Sequence, residues 1–169
     1  MPTKGSSIVE VGYAVQDMDD AIRFFTESMA AGPFAVFKHV KMQRAVYRGT
    51  PVDVDIDIAL GASGDLVIEL IKQHNQVASP FCLLPGDGAM SMNHWSVFTT
   101  DFDRELQEYR ESGIEVAFYA EFPQDDADGF ARVAYLDTIQ RAGAYLELME
   151  SDPPVLVDLY QQIIESGRS

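Results

Sequence analysis

The chain repeats itself. Residues 10–25 align without a gap on residues 94–109, so that Glu10-Val-Gly-Tyr-Ala-Val-Gln-Asp17 faces His94-Trp-Ser-Val-Phe-Thr-Thr-Asp101. Farther along, Leu66-Val-Ile-Glu69-Leu-Ile71 is echoed by Ala144-Tyr-Leu-Glu147-Leu-Met149. Each copy opens on a polar residue able to bind a metal and closes on a Glu within an apolar strand. Repetition at this scale means two copies of one supersecondary unit, stacked because neither covers its own apolar surface alone. It also nominates four symmetry-related side chains: Glu10, Glu69, His94 and Glu147.

The pattern within each copy gives the unit. Residues 8–15 alternate as a strand and run into Asp17, a helix N-cap, after which Met18, Ile22, Phe25 and Met29 fall on one helical face. Residues 34–42, 51–60 and 66–72 read as strands, with hairpin chemistry at Gly64-Asp65. The second copy predicts a strand over 94–100 and a helix capped by Asp101 with Phe102, Leu106 and Tyr109 on its apolar face. Strands over 114–122, 131–137 and 144–149 follow, with an acidic loop at 124–129. The fold class is therefore α+β: two tandem βαβββ modules, 8–75 and 93–150, joined by a Pro- and Gly-punctuated linker over 76–92. A C-terminal amphipathic helix over 153–166 carries Leu156, Leu159, Tyr160 and Ile163 on one side. Docking onto the core or a dimer contact both explain that helix, and a homodimer is the expected assembly.

Each module's helix covers one side of its sheet only. Two modules side by side then enclose a cavity lined by their uncovered faces. Alternation puts Glu69 opposite Ile68 and Leu70, and Glu147 opposite Leu146 and Leu148. A Glu between such neighbours is expensive to bury unless paired or metal-bound.

Charge narrows the partners. With 12 basic against 27 acidic residues the formal net charge is −15, which repels phosphate backbones and anionic lipid and attracts cations. No nucleic-acid or membrane partner is expected, and the partner is a small molecule. A single Cys82 excludes an internal disulfide framework and fits a reducing compartment. With no apolar run of membrane-spanning length and no N-terminal leader pattern, the expected location is cytoplasmic.

The paired units, the Val-Gly-Tyr-Ala-Val-Gln-Asp-Met-Asp opening and the Ile-Glu-Leu and Leu-Glu-Leu closings resemble the vicinal oxygen chelate superfamily. That group contains glyoxalase I, methylmalonyl-CoA epimerase, extradiol dioxygenases and the bleomycin- and fosfomycin-resistance proteins. The similarity spans roughly residues 8 to 150 and is nearest to the glyoxalase and epimerase branch. Carried over position by position, it implies a metal set of Glu10, Glu69, His94 and Glu147. Glu10 departs from the pattern, since His or Gln is the commoner occupant there. Three carboxylates and one imidazole make an oxygen-rich site for Mn, Co, Ni, Zn or Mg.

The resemblance further implies a metal-dependent lyase, isomerase or epimerase that transfers a proton next to a carbonyl through a metal-stabilised enediolate. Glu147 is the expected base, with Glu69 or Glu10 as its catalytic counterpart across the pseudo-twofold. Two alternatives stay open. One is a metal-free small-molecule binding protein of the resistance type. The other is an extradiol dioxygenase, which normally uses two His and one carboxylate where this chain offers His94 alone.

Outside the four positions, Arg48, His39 and Trp95 are candidate substrate contacts. His39 and His74 are equally candidates for the surface. Asp53, Asp55 and Asp57 read as a solvated strand face.

Overall fold

The computed structural model describes residues 7–83, 88–123 and 129–169. Ten strands form one mixed sheet in the order β2-β5-β6-β1-β7-β10-β9-β8-β3-β4. The first module supplies β1 (Glu10–Val15), α1 (Met18–Met29), β2 (Ala35–Phe37), β3 (Gln43–Tyr47), β4 (Thr50–Pro51), β5 (Ile56–Ser63) and β6 (Leu66–Gln73). The second supplies β7 (Met90–Phe98), α2 (Phe102–Glu111), β8 (Val116–Phe122), β9 (Phe130–Leu136), the short α3 (Ile139–Ala142) and β10 (Tyr145–Asp152), followed by α4 (Val155–Gly167). The four functional strands lie together at the middle: β6 pairs parallel with β1, β1 antiparallel with β7, and β7 parallel with β10.

Three apolar clusters follow from this arrangement. One lies under α1, where Met18, Ala21 and Phe25 pack on Ile68 and Leu70. Its counterpart lies under α2, where Phe102 and Leu106 pack on Val97, Leu136 and Leu148. The third fills the concave interior shared by both modules, and α4 joins it through Tyr160 and Ile163. The C-terminal helix is thus a docked wall of its own chain. The join between modules also reaches inward: Phe81 is buried with its ring centroid 5.3 Å from that of Phe118 and 5.6 Å from that of Tyr135.

Two differences from the sequence reading matter. The predicted strand over 34–42 shrinks to the three residues of β2, and the chain then crosses to the far end of the sheet. There β3 pairs with β8 of the other module, Val46 opposite Tyr119 and Tyr47 opposite Phe118. The predicted strand over 51–60 splits into the two-residue β4 and the longer β5, so Asp53 and Asp55 lie outside regular structure. Most of the acidic loop at 124–129 lies outside the described residues.

Candidate metal centre

The register of the central strands brings the repeat's four polar positions together. Gly12 is opposite Glu69 on one side and His94 on the other, while Ser96 is opposite Glu10 and Glu147. Nε2 of His94 lies 3.3 Å from Glu10 Oε1, 3.2 Å from Glu69 Oε2 and 3.5 Å from Glu147 Oε2. All four side chains are buried, Glu10 and His94 completely. Donor atoms of Glu10, Glu69 and His94 fall within 4.8 Å of one another.

Local structure explains how the imidazole reaches this point. A β-bulge at Asn93 gives β7 one residue more than β1 across Gly12 and Tyr13, which re-aims neighbouring side chains. Gly12 then leaves the necessary space. A Cβ placed there would lie 1.9 Å from Cε1 of His94, so the ring occupies the volume that any other residue would fill. Asn93 Nδ2 donates to the carbonyl of Pro80 at 2.6 Å, which turns its Oδ1 toward His94 Nδ1 at 2.9 Å. That acceptor fixes the proton of the neutral ring on Nδ1, so Nε2 presents a lone pair to three carboxylates. Such a set needs a positive charge between its members, from protons or from a cation.

The hydroxyls around the cluster agree. Ser96 Oγ lies 2.6 Å from Glu10 Oε1 and also hydrogen-bonds to Glu147 Oε2. One hydroxyl has one proton to donate, so in the metal-free protein one of these carboxyls carries a proton of its own. Tyr160, arriving from α4, donates to Glu10 Oε2. Tyr135 packs its ring 4.8 Å from that of His94.

Without a cation, burial, opposed by His94 and reinforced by the negative Glu10 and Glu69, pushes the Glu147 carboxyl up to about 8. Burial and the charge of Glu10, opposed by His94, push Glu69 up to about 7. For His94 burial acts downward, but the surrounding carboxylates, Glu147 first, outweigh it and hold the imidazole well above its ordinary value. Desolvation and nearby carboxylates raise the Tyr135 and Tyr160 phenols. The donor set fits a divalent ion: three carboxylates and a properly oriented imidazole, each buried, with a second row of hydrogen bonds.

A cavity of about 370 Å3 opens onto the cluster. Its walls are apolar, with Phe37, Val40, Leu60, Val133, Met149 and Leu159 among them, and among the described residues its only charged members are Glu69 and Glu147. His39, Arg48 and Trp95 do not line it. Arg48 is instead tied to Asp137 at 2.8 Å and His39 to Asp55 at 2.7 Å. Trp95 follows His94 on β7, where the next side chain points to the opposite face of the sheet. Ser96, Asn93 and Tyr160 were missed in the sequence. The repeat alignment places Ser96 on Gly12, which is the one signal that marks it, and Tyr160 was visible only as one apolar position of an amphipathic helix.

The profile of the glyoxalase/bleomycin resistance protein/dioxygenase superfamily matches residues 10–135, and the chain belongs to that superfamily. A search of the curated proteins finds no match. Among solved structures, a hypothetical protein from Bacillus halodurans C-125 is similar at 20% identity and a TM-score of 0.57, covering 87% of this chain and 95% of that one. Methylmalonyl-CoA epimerase from Mycobacterium tuberculosis is similar at 17% identity and a TM-score of 0.56, with 89% and 91% covered. At these identities the likeness shows the fold. Among the described residues no helix is long and apolar enough to cross a membrane.

Proposed function

We propose that this protein is a divalent-metal-dependent enzyme that moves a proton on a carbon next to a carbonyl, as an isomerase or epimerase or in a glyoxalase-type lyase reaction. One observation carries the reading: two carboxyls of the His94 cluster, Glu69 and Glu147, also face the apolar cavity. Glu10, Glu69, His94 and Glu147 would hold the ion. Bound there, it supplies Lewis-acid polarisation of a substrate oxygen. The rest is the chain's own chemistry.

Glu147, with Ser96 on one oxygen, takes the proton. Glu69 stands across His94 as its counterpart, able to deliver a proton from another direction. Return by Glu69 inverts the carbon, and return by Glu147 at the same or the adjacent carbon retains or isomerises it. The apolar walls exclude water and favour a small, largely uncharged substrate. No cation among the described lining residues could hold a phosphate or carboxylate group.

A proton-transfer enzyme betrays itself before its full reaction is known, by washing solvent deuterium into acidic carbons. A panel of small apolar hydroxy-ketones and 2-substituted acyl thioesters in D2O, followed by NMR, should show exchange that requires a divalent ion. Glu147→Gln should slow it by roughly 10²-fold or more. A second reading has its own observation: Ser96 and Tyr160 already satisfy Glu10 by hydrogen bonds, as a metal-free binding protein would require. Tight binding of an apolar ligand with no exchange, and no effect of added metal, would establish that reading instead.

A further inference from the structure

Two of the chain's three histidines lie away from this centre, and they lie together. His39 sits on the segment between β2 and β3, Asp57 on β5, and His74 just beyond the end of β6. His74 Nε2 is 3.0 Å from Asp57 Oδ1, and the same oxygen accepts the backbone N–H of His39 at 2.9 Å. The two imidazoles face each other with ring centroids 5.1 Å apart. One donor atom from each of the three residues lies within 4.8 Å of the others. Asp55 accepts from His39 Nδ1 at 2.7 Å, which orients that ring and leaves Nε2 as its free donor.

We propose that His39, Asp57 and His74 form a second, surface site for an imidazole-preferring divalent ion of the zinc type, independent of the buried centre. Two imidazoles and a carboxylate are the three protein donors such an ion takes, with its remaining position left to water. A carboxylate holding the far nitrogen of a ligating His is the usual supporting contact. Donors at zinc bond lengths stand about 3.3 Å apart in a tetrahedron, a spacing the Asp57–His74 pair already has. Hard ions are disfavoured, since Mg2+ and Ca2+ need an oxygen-rich shell.

The position has a structural consequence. The segment carrying His39 also carries Val40, a cavity wall, whose N–H bonds to the Ile56 carbonyl at 2.9 Å. An ion bound here would tie that segment to β5 and β6 and hold one side of the cavity mouth.

Chelator-stripped protein dialysed against buffered zinc, with bound metal counted by mass spectrometry, gives the test. The His39→Ala/His74→Ala double variant should bind one zinc fewer per chain than the wild type, and Asp55→Asn should bind the same ion roughly 10-fold or more weakly. His94→Gln should keep it. In wild-type protein zinc should shift the imidazole NMR signals of His39 and His74, a readout that needs no variant to fold. Unchanged stoichiometry and affinity in the double variant, or zinc-induced shifts confined to His94, would overturn the proposal.

Discussion

In the first half the residue two positions after the opening Glu10 is Gly12; in the second half the residue two positions after His94 is Ser96. Both occupy the same register, one opposite Glu69 and the other opposite Glu147. Gly12 contributes an empty volume, into which the ring of His94 fits. Ser96 contributes a hydroxyl that joins Glu10 to Glu147. The repeat is symmetric in backbone and asymmetric in chemistry. The imidazole comes from one copy and the space for it from the other, so neither copy holds a complete site.

The largest test of this asymmetry is kinetic. Glu147→Gln should lower turnover by roughly 10²-fold or more, and Glu69→Gln should lower it less, measured as deuterium exchange at saturating metal. Equal losses would replace the single-base picture with two equivalent bases.

Acidity gives the next comparison. In the metal-free protein Glu69 and Glu147 have folded-state values above the ordinary 4.5. The folded chain then retains protons that the unfolded chain has released. Stability present below about pH 4.5 is lost as pH rises through about 7 for Glu69 and about 8 for Glu147, by on the order of a few kcal/mol in all. Denaturant midpoints of the stripped protein should fall across this window. Glu69→Gln and Glu147→Gln should each shrink the drift, and because the two carboxyls raise one another each substitution should also lower the value of the carboxyl that remains. Saturating divalent ion should reverse the slope, because binding displaces protons.

Smaller effects separate the two equivalent positions themselves. Gly12→Ala forces a methyl into the His94 ring and should cost about 3 kcal/mol. Ser96→Ala removes the shared hydroxyl and should cost about 1–2 kcal/mol. A neutral Gly12→Ala would mean that the ring does not lie over β1.

The smallest contrast concerns the helix caps. Asp17 accepts from the Asp20 N–H at 2.9 Å, whereas Asp101 makes no such bond and pairs instead with Arg104. Asp17→Ala should therefore cost about 1 kcal/mol, and Asp101→Ala only a few tenths.

The elements that carry the four central residues were legible because each is long, periodic and repeated. β1, α1, β6, α2, β10 and α4 fall within a few residues of their predicted spans, while β7, expected over 94–100, runs over Met90–Phe98 and so begins inside the predicted linker. Asp101 was expected to cap as Asp17 does, and the difference arises because Arg104, one turn on, claims its carboxylate. The crossing of β3 was not legible. Its partner is β8, far away in sequence, and no local pattern in Gln43–Tyr47 encodes a distant edge. The alternating acids at 53, 55 and 57 misled in a related way. Asp57 is buried, and its hydrogen bonds from the His39 backbone and from His74 outweigh desolvation and lower its pKa. Asp53 and Asp55 lie before the strand begins. Ser96 and Tyr160 escaped because a hydroxyl has no pattern of its own. Only the partners that the fold delivers make it functional.

The crossing of β3 has a bearing on how the molecule is made. Val46 and Tyr47 pair with Pro51 and Thr50 of β4 along one edge, but along the other their partners are Tyr119 and Phe118, so the leading portion emerges from the ribosome with one edge of β3 unmatched. It must wait for most of the remaining polypeptide before its sheet can close. Cutting the gene at the repeat boundary would leave both products with an exposed strand edge, the usual starting point for aggregation.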